Sequence, residues 1–141
     1  MMEQFSFLLG NWGMEYNIPK SVLSEAATGM GKGTFKKVLD DRYVTFDYST
    51  LINEQKGQAY GIFAWDRKLE THRFWWFESS GNFSTATCKF INDDTLFMNW
   101  HDSLLIQTFK KVNPNKIILR MENPDSDGNF KLVMEVTFNR K

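Results

Sequence analysis

The sequence predicts an all-β protein, a single antiparallel up-and-down β-barrel of about ten strands with a short N-terminal helix. Aromatic side chains are abundant, with 5 Trp, 4 Tyr and 13 Phe among 141 residues, and such side chains favour pleated, half-buried strands. Clusters of Asn, Asp, Gly and Pro interrupt the chain at nearly regular intervals, as hairpin turns do. Apolar and polar residues alternate between these clusters. Because a long meander leaves unpaired edges unless it closes, the pattern favours a closed barrel.

Ten runs between the turn clusters are predicted to be strands, each short enough for a sheet. They are residues 12–18, 29–39, 42–51, 58–66, 71–79, 83–91, 95–101, 104–112, 116–122 and 130–140. In the last three runs, alternation places the mainly apolar residues on one face. These sets are Leu104, Ile106 and Thr108, then Ile117, Leu119 and Met121, and finally Phe130, Leu132, Met134, Val136 and Phe138. Arg120, Glu122, Lys131, Glu135 and Asn139 fall on the opposite faces.

Two segments have weak helical patterns. Residues 3–9 place Phe5 and two leucines on a common side and are followed by Gly10, a residue that often ends helices, so this segment is expected to plug one mouth of the barrel. Residues 20–27 contain Ser21 followed by Glu25, which only loosely resembles a helix start. This second segment is interpreted as either a lid or a long loop.

Composition bounds the function classes. Lys plus Arg equals Asp plus Glu at 17 each, so the chain lacks the basic excess of nucleic-acid binders. The lone Cys88 cannot form an intramolecular disulfide, and the N-terminus lacks a signal-peptide pattern, so a cytoplasmic location is expected. No apolar stretch approaches the roughly 20 residues of a spanning helix, so no membrane partner is expected. Residues 1–141 are treated as one domain.

Four motifs carry a resemblance to a known family. The stretches "FLLGNWGMEY", "LDDRYVTFDY", "AWDRKLETHRFWWFESSGN" and "DSDGNFKLVMEVTFNRK" occur in this order and span nearly the whole chain. They resemble a bacterial lipocalin-like family without an established function. The resemblance implies a calycin-type barrel, like those of lipocalins and fatty-acid-binding proteins, and it carries no catalytic residues to transfer.

Haem and metal sites are not expected. Nitrobindin, a related barrel with a similar opening, binds haem through a histidine late in the chain, whereas His72 and His101 here both precede residue 102. Two distant histidines and one cysteine do not supply the three or four closely spaced ligands of a zinc site. No cofactor is therefore predicted.

Three tryptophans are candidates for the barrel interior. Trp12 is interpreted mainly as a structural floor beneath a ligand space, because large aromatic side chains usually serve packing. Trp75 and Trp76 are adjacent on one strand and point to opposite faces, so at most one of them can face inward. The family resemblance favours Trp76. The other would then be exposed, which suggests a subunit interface and a possible homodimer.

Several polar residues are candidates for acid–base catalysis if they face the barrel interior. His72 shares its predicted face with Phe74 and Glu78, although a surface position near a turn is the more common outcome for such a histidine. His101 is adjacent to Asp102, but neighbours on a strand face opposite ways, so direct pairing is not expected. An alternative function is accordingly an enzyme that uses His72, Glu78 or His101 as acid or base on an apolar substrate.

Arg120 and Glu135 interrupt two late strands that are predicted to pair. Both would be solvated if the apolar faces line a packed interior, and both would line a wet ligand chamber if the faces are reversed. The first placement is favoured because isolated charges are costly to bury.

The glycines of "TGMGKGTF" resemble a phosphate-binding loop. However, Gly29, Gly31 and Gly33 lead into a strand rather than a helix, so no helix N-terminus follows to bind an anion. They are expected instead to permit a tight bend as the barrel closes.

The leading hypothesis is a binding barrel that holds a small apolar ligand in its interior. Such sites are mainly apolar, with a few polar groups that orient the ligand. The candidate ligand-contact residues are Trp12, Phe74, Trp76, Trp100, Arg120 and Met134. Besides the enzyme, the other alternative is a filled barrel that acts through its outer surface as a homodimeric interaction module.

Overall fold

Ten antiparallel strands and one 3-10 helix account for most of the residues that the computed structural model describes, which are 2–21 and 24–141. The helix is Glu3–Leu8. The strands are β1 (Gly10–Ile18), β2 (Ala27–Val38), β3 (Tyr43–Ile52), β4 (Gln55–Asp66), β5 (Thr71–Glu78), β6 (Phe83–Asn92), β7 (Thr95–Trp100), β8 (Ile106–Asn113), β9 (Lys116–Pro124) and β10 (Phe130–Arg140). Each strand pairs with its neighbours in sequence, and β1 also pairs with β10, which closes the sheet. The predicted fold class is confirmed.

One end of the barrel is closed by the helix. Phe5 and Leu8 are fully buried, and the indole nitrogen of Trp12 donates a hydrogen bond to the Leu8 carbonyl at 2.7 Å. The Arg140 guanidinium lies 4.1 Å from the centre of the Trp12 ring and donates to the Leu9 carbonyl at 2.6 Å. The first and last strands are thereby tied to the helix. The expected N-terminal plug is therefore present.

A β-bulge breaks the face pattern predicted for β10. Leu132 pairs with Glu122, whereas Met134 pairs with Met121, so two steps along β10 match one step along β9. Paired residues share a face of the sheet. The extra residue in β10 therefore turns the side chains that precede it to the opposite face. Phe130 is 52% exposed as a result. The prediction that the five alternate apolar residues of β10 share one face is wrong for its first two members.

The alternating apolar residues of β8 lie on its outer face, whereas those of β9 lie on its inner face. Gln107 and Phe109 are buried, and Leu104 precedes the strand and is 76% exposed. The inner face of β8 therefore holds the residues between those that alternation selected. In β9, Ile117 and Leu119 are buried as expected.

No helix is found in the described residues between β1 and β2. The Ser21 amide donates to the Ser24 carbonyl at 2.9 Å, and β2 begins at Ala27. The segment 20–27 falls partly outside the described residues, since these do not include Val22 and Leu23.

The glycines of β2 face the barrel interior. A Cβ atom at Gly33 would lie 2.6 Å from the Phe46 ring, and one at Gly31 would lie 3.2 Å from the Tyr16 ring. Their missing side chains therefore give aromatic rings of the neighbouring strands room to lie against the sheet.

Candidate functional site

The half of the barrel away from the helix is hollow. It contains a cavity of about 530 Å³. Its aromatic walls are Tyr16, Phe46, Tyr48, Phe74, Trp76, Phe83, Trp100, Phe109 and Phe138, and its aliphatic lining is Met14, Leu105, Leu119, Met121, Met134 and Val136. The cavity reaches the exterior between the turn that joins β5 to β6 and the loop that joins β7 to β8, where Asn82 and Ser103 line the mouth.

Four of the six sequence-predicted contact residues meet in this cavity. They are Phe74, Trp76, Trp100 and Met134. Trp12 instead lies at the closed end beneath the helix, as its structural interpretation expected, and does not line the cavity. Arg120 lies on the outer face of β9, where its Nη1 atom is 2.7 Å from Oε2 of Glu135. Arg120 therefore does not line the cavity, contrary to the prediction.

A hydrogen bond between two aromatic residues lies in the cavity wall. The indole nitrogen of Trp76 donates to the Tyr48 hydroxyl at 2.8 Å. The Tyr48 ring stacks on Phe46, with ring centres 4.3 Å apart. Burial raises the pKa of Tyr48 to about 12, an effect that the Trp76 hydrogen bond opposes and the Glu78 charge reinforces. Tyr48 is therefore a neutral hydroxyl over the physiological pH range.

A second polar pair joins β7 to β8. The indole nitrogen of Trp100 donates to Oε1 of Gln107 at 3.2 Å, and the Gln107 amide lies 3.7 Å from the sulfur of Met98. Gln107 is one of the few buried polar residues among those described. Sequence reasoning missed it because the apolar alternation of this strand lies on the outer face, at Ile106 and Thr108.

Tyr16 adds a further hydroxyl to the cavity. It is 6% exposed, and no hydrogen bond joins its hydroxyl to another described residue. Burial raises the pKa of Tyr16, and the neighbouring Tyr48 raises it further. The signal that could have found Tyr16 is the alternation of Trp12, Met14 and Tyr16 in β1, all of which are buried.

The mouth carries one carboxylate. Ser84 donates to Oδ1 of Asp102 at 2.7 Å, and both residues line the cavity. The adjacent His101 is exposed and lies 2.7 Å from the Thr85 hydroxyl, so the two neighbours have separate partners, as expected. Among the described lining residues there is no Lys, Arg or His.

The residues named for acid–base catalysis do not meet in the cavity. His72 is buried at the closed end, with ring centres 5.1 Å from Phe5 and 4.8 Å from Trp65, so the expected surface position is wrong. Glu78 accepts a hydrogen bond from the Asn82 amide at 2.9 Å and does not line the cavity. With His101 outside, the geometry does not support the acid–base alternative through these three residues.

Two further features are absent from residues 2–21 and 24–141. No group of three or more His, Cys, Asp and Glu side chains in this part of the chain is arranged to hold a metal ion. Within the same residues, no helix has both the length and the apolar character needed to span a membrane. The Cys88 side chain is buried, and burial raises the pKa of its thiol, which disfavours the reactive thiolate.

The sequence matches no protein-family model and no curated protein. Solved structures do match the fold. "Rv2717c from M. tuberculosis" has a TM-score of 0.69 at 10% identity and covers 99% of this chain and 96% of its own. The S-type phycobiliprotein lyase CPES from Guillardia theta has a TM-score of 0.63 at 11% identity, and the match covers 99% of this chain and 91% of the lyase chain. The redesigned barrel mFAP0, bound to DFHBI, has a TM-score of 0.53 at 12% identity, and the match covers 95% of this chain and 99% of the mFAP0 chain. The shared fold is a ten-stranded barrel of the lipocalin-like kind.

Proposed function

We propose that this protein binds one small, mostly apolar molecule in the cavity at the open end of the barrel. The observation that carries the proposal is the cavity itself, which measures about 530 Å³ and has mainly aromatic and aliphatic walls. Sites for small molecules span roughly 300–1,000 Å³ and combine apolar walls with a few placed polar groups. The Tyr48–Trp76 and Trp100–Gln107 pairs are such groups.

The contrast with the closed end supports a binding role. If the barrel were merely a stable core, the same packing that surrounds Phe5 and Leu8 would be expected throughout. An apolar guest that removes the exposed aromatic surface from water gains about 25 cal/mol per Å² of area. The hollow half is therefore suited to hold a guest.

Two barrels of the same fold also support the proposal. One is named a phycobiliprotein lyase, and another was solved bound to DFHBI. The motifs at both ends of the chain support the further proposal that it belongs with the bacterial lipocalin-like proteins that they resemble.

Titration with Nile red, an uncharged apolar dye, tests the proposal. Met134→Trp places a large ring in the cavity, whereas Met30→Trp makes the same change at a position that is 68% exposed. We expect saturable dye binding by the wild type and by Met30→Trp, and at least a tenfold weaker affinity for Met134→Trp. Circular dichroism checks folding, and Met121→Trp is a second filling variant.

The proposal would be contradicted by either of two results. One is a folded Met134→Trp and a folded Met121→Trp that both bind the dye as the wild type does. The other is a wild type that binds no dye and, in native mass spectra of protein purified from several hosts, never retains a guest.

A further inference from the structure

Two tyrosine hydroxyls in the cavity are available as hydrogen-bond donors. The Tyr48 hydroxyl already accepts the Trp76 N–H at 2.8 Å, so its own proton can be donated into the cavity. Accepting one hydrogen bond also polarises a hydroxyl and strengthens it as a donor. The Tyr16 hydroxyl lines the same cavity without a hydrogen bond to the described residues. Because this hydroxyl faces the cavity, an acceptor on the ligand can receive its hydrogen bond.

Charge narrows the class of ligand. The described lining has no cationic side chain, and its one carboxylate, Asp102, lies at the mouth. An anionic ligand would lose its hydration, find no counter-ion and pass a like charge on entry. Burial also raises the pKa of both Tyr16 and Tyr48, because this environment disfavours negative charge. The cavity therefore selects against carboxylates and sulfonates.

The walls favour a planar ring. Trp76 and Trp100 have ring centres 6.1 Å apart at 74°, and Phe74 and Trp100 have centres 5.9 Å apart at 76°. Edge-to-face and offset contacts of this kind can accept a flat aromatic guest. The indole nitrogens of both tryptophans are held by hydrogen bonds, to Tyr48 and Gln107, which fixes the tilt of the rings before a ligand arrives.

From these three features we infer that the ligand is an uncharged, planar aromatic molecule that carries a hydrogen-bond acceptor, such as a carbonyl oxygen, directed at the hydroxyls of Tyr48 and Tyr16. The inference rests on the proposed function, since it names the class of molecule that the same cavity holds. It distinguishes this site from one for a fatty acid, whose carboxylate would need a cationic partner.

Three naphthalenes of similar size test the inference. 2-Acetylnaphthalene has a carbonyl acceptor, 2-ethylnaphthalene has none, and 2-naphthoate is an anion at neutral pH. Equilibrium dialysis should give the ketone about two- to tenfold higher affinity than the hydrocarbon, the range expected for one net hydrogen bond. The naphthoate should bind at least about tenfold more weakly than the ketone.

Tyrosine variants test which residues cause the preference for the ketone over the hydrocarbon. Tyr48→Phe should bring the ketone-to-hydrocarbon affinity ratio close to one, and Tyr16→Phe should lower it. Tyr60→Phe is the matched control, because Tyr60 is 40% exposed and does not line the cavity. This control should leave the ratio at its wild-type value.

The outcomes separate the inference from the proposed function. If naphthoate binds as tightly as the ketone, or if Tyr48→Phe and Tyr16→Phe both keep the wild-type ratio, the inference is overturned while the binding function stands. The inference is also overturned if Nile red binds and none of the three naphthalenes does. If Nile red fails as well and native mass spectra show no retained guest, the proposed function itself is contradicted.

Discussion

The two ends of the barrel are built from the same ten strands but are filled differently. At the closed end, Phe5 and Leu8 of the helix and Trp12 beneath it are fully buried. At the open end, Tyr48 and Trp76 also point inward, but they pair through polar atoms and leave a cavity. The comparison indicates a division of roles, because close packing stabilises the fold whereas incomplete packing with fixed polar groups provides a site.

The largest expected effect is at the closed end. Trp12→Ala removes a fully buried ring, its hydrogen bond to Leu8 and its contact with Arg140. We expect the free energy of unfolding, measured by urea denaturation, to fall by about 3–5 kcal/mol. Trp75→Ala is the matched control on the outer face, where Trp75 lies under the Arg73 guanidinium, and should cost roughly 1–2 kcal/mol. Equal losses in the two variants would show that the closed end has no special role in stability.

A smaller effect is expected where the two regions meet. A Cβ atom at Gly61 would overlap the ring of Phe74, a residue that lines the cavity. Gly61→Ala should therefore cost roughly 1–3 kcal/mol through overpacking and weaken Nile red binding, because the displaced ring enters the cavity.

Gly13→Ala is the control for this substitution, since its Cβ would meet no atom closer than 3.7 Å. It should change neither stability nor dye affinity appreciably. Adding Phe74→Leu to Gly61→Ala makes room for the methyl group and should recover part of the lost stability. A double variant less stable than Gly61→Ala alone would argue against ring displacement as the cause.

Sequence reasoning predicted the architecture because turn residues and alternation are local signals. The strand count, the closure and the helix at one end all followed from them. The inward position of Trp76 came from the resemblance to a known family rather than from periodicity. Periodicity separates two faces of a strand but does not say which face is inner when both carry apolar residues.

The polar residues of the site were not predicted, for the same reason. Gln107 lies between Ile106 and Thr108, so the apolar alternation of β8 marks the outer face and not the face that lines the cavity. Tyr48 lies in β3, where apolar residues occur on both faces. The bulge in β10, which turns Phe130 outward, leaves no clear signal in the residue types around it. Such features depend on pairing between strands, which a single sequence does not display.

Alkaline pH should lower the free energy of unfolding, because Tyr48 at the open end is buried as a protonated hydroxyl. The folded-state pKa of Tyr48 is raised from 10.0 to about 12, so between these pH values the folded protein retains a proton that the unfolded chain releases. The free energy of unfolding therefore falls as pH rises through this window. In Tyr48→Phe the fall from about pH 9 to about pH 12 should be smaller by roughly 2 kcal/mol. Parallel curves for the wild type and the variant would contradict the assignment of Tyr48 as a buried, protonated hydroxyl.

The smallest effect is expected on the outer face, and it tests which side of the sheet forms the site. Arg120 and Glu135 are 2.7 Å apart, with side chains 45% and 27% exposed. Because exposed ion pairs contribute about 0–1 kcal/mol, Arg120→Met should lower stability by less than about 1 kcal/mol, and less still at high salt. Nile red affinity should equal that of the wild type, since the side chain lies on the opposite side of β9 from Leu119 and Met121. A strong loss of dye binding in a fully folded Arg120→Met would mean that Arg120 reaches the ligand, and the division between a polar exterior and an apolar cavity would then be wrong.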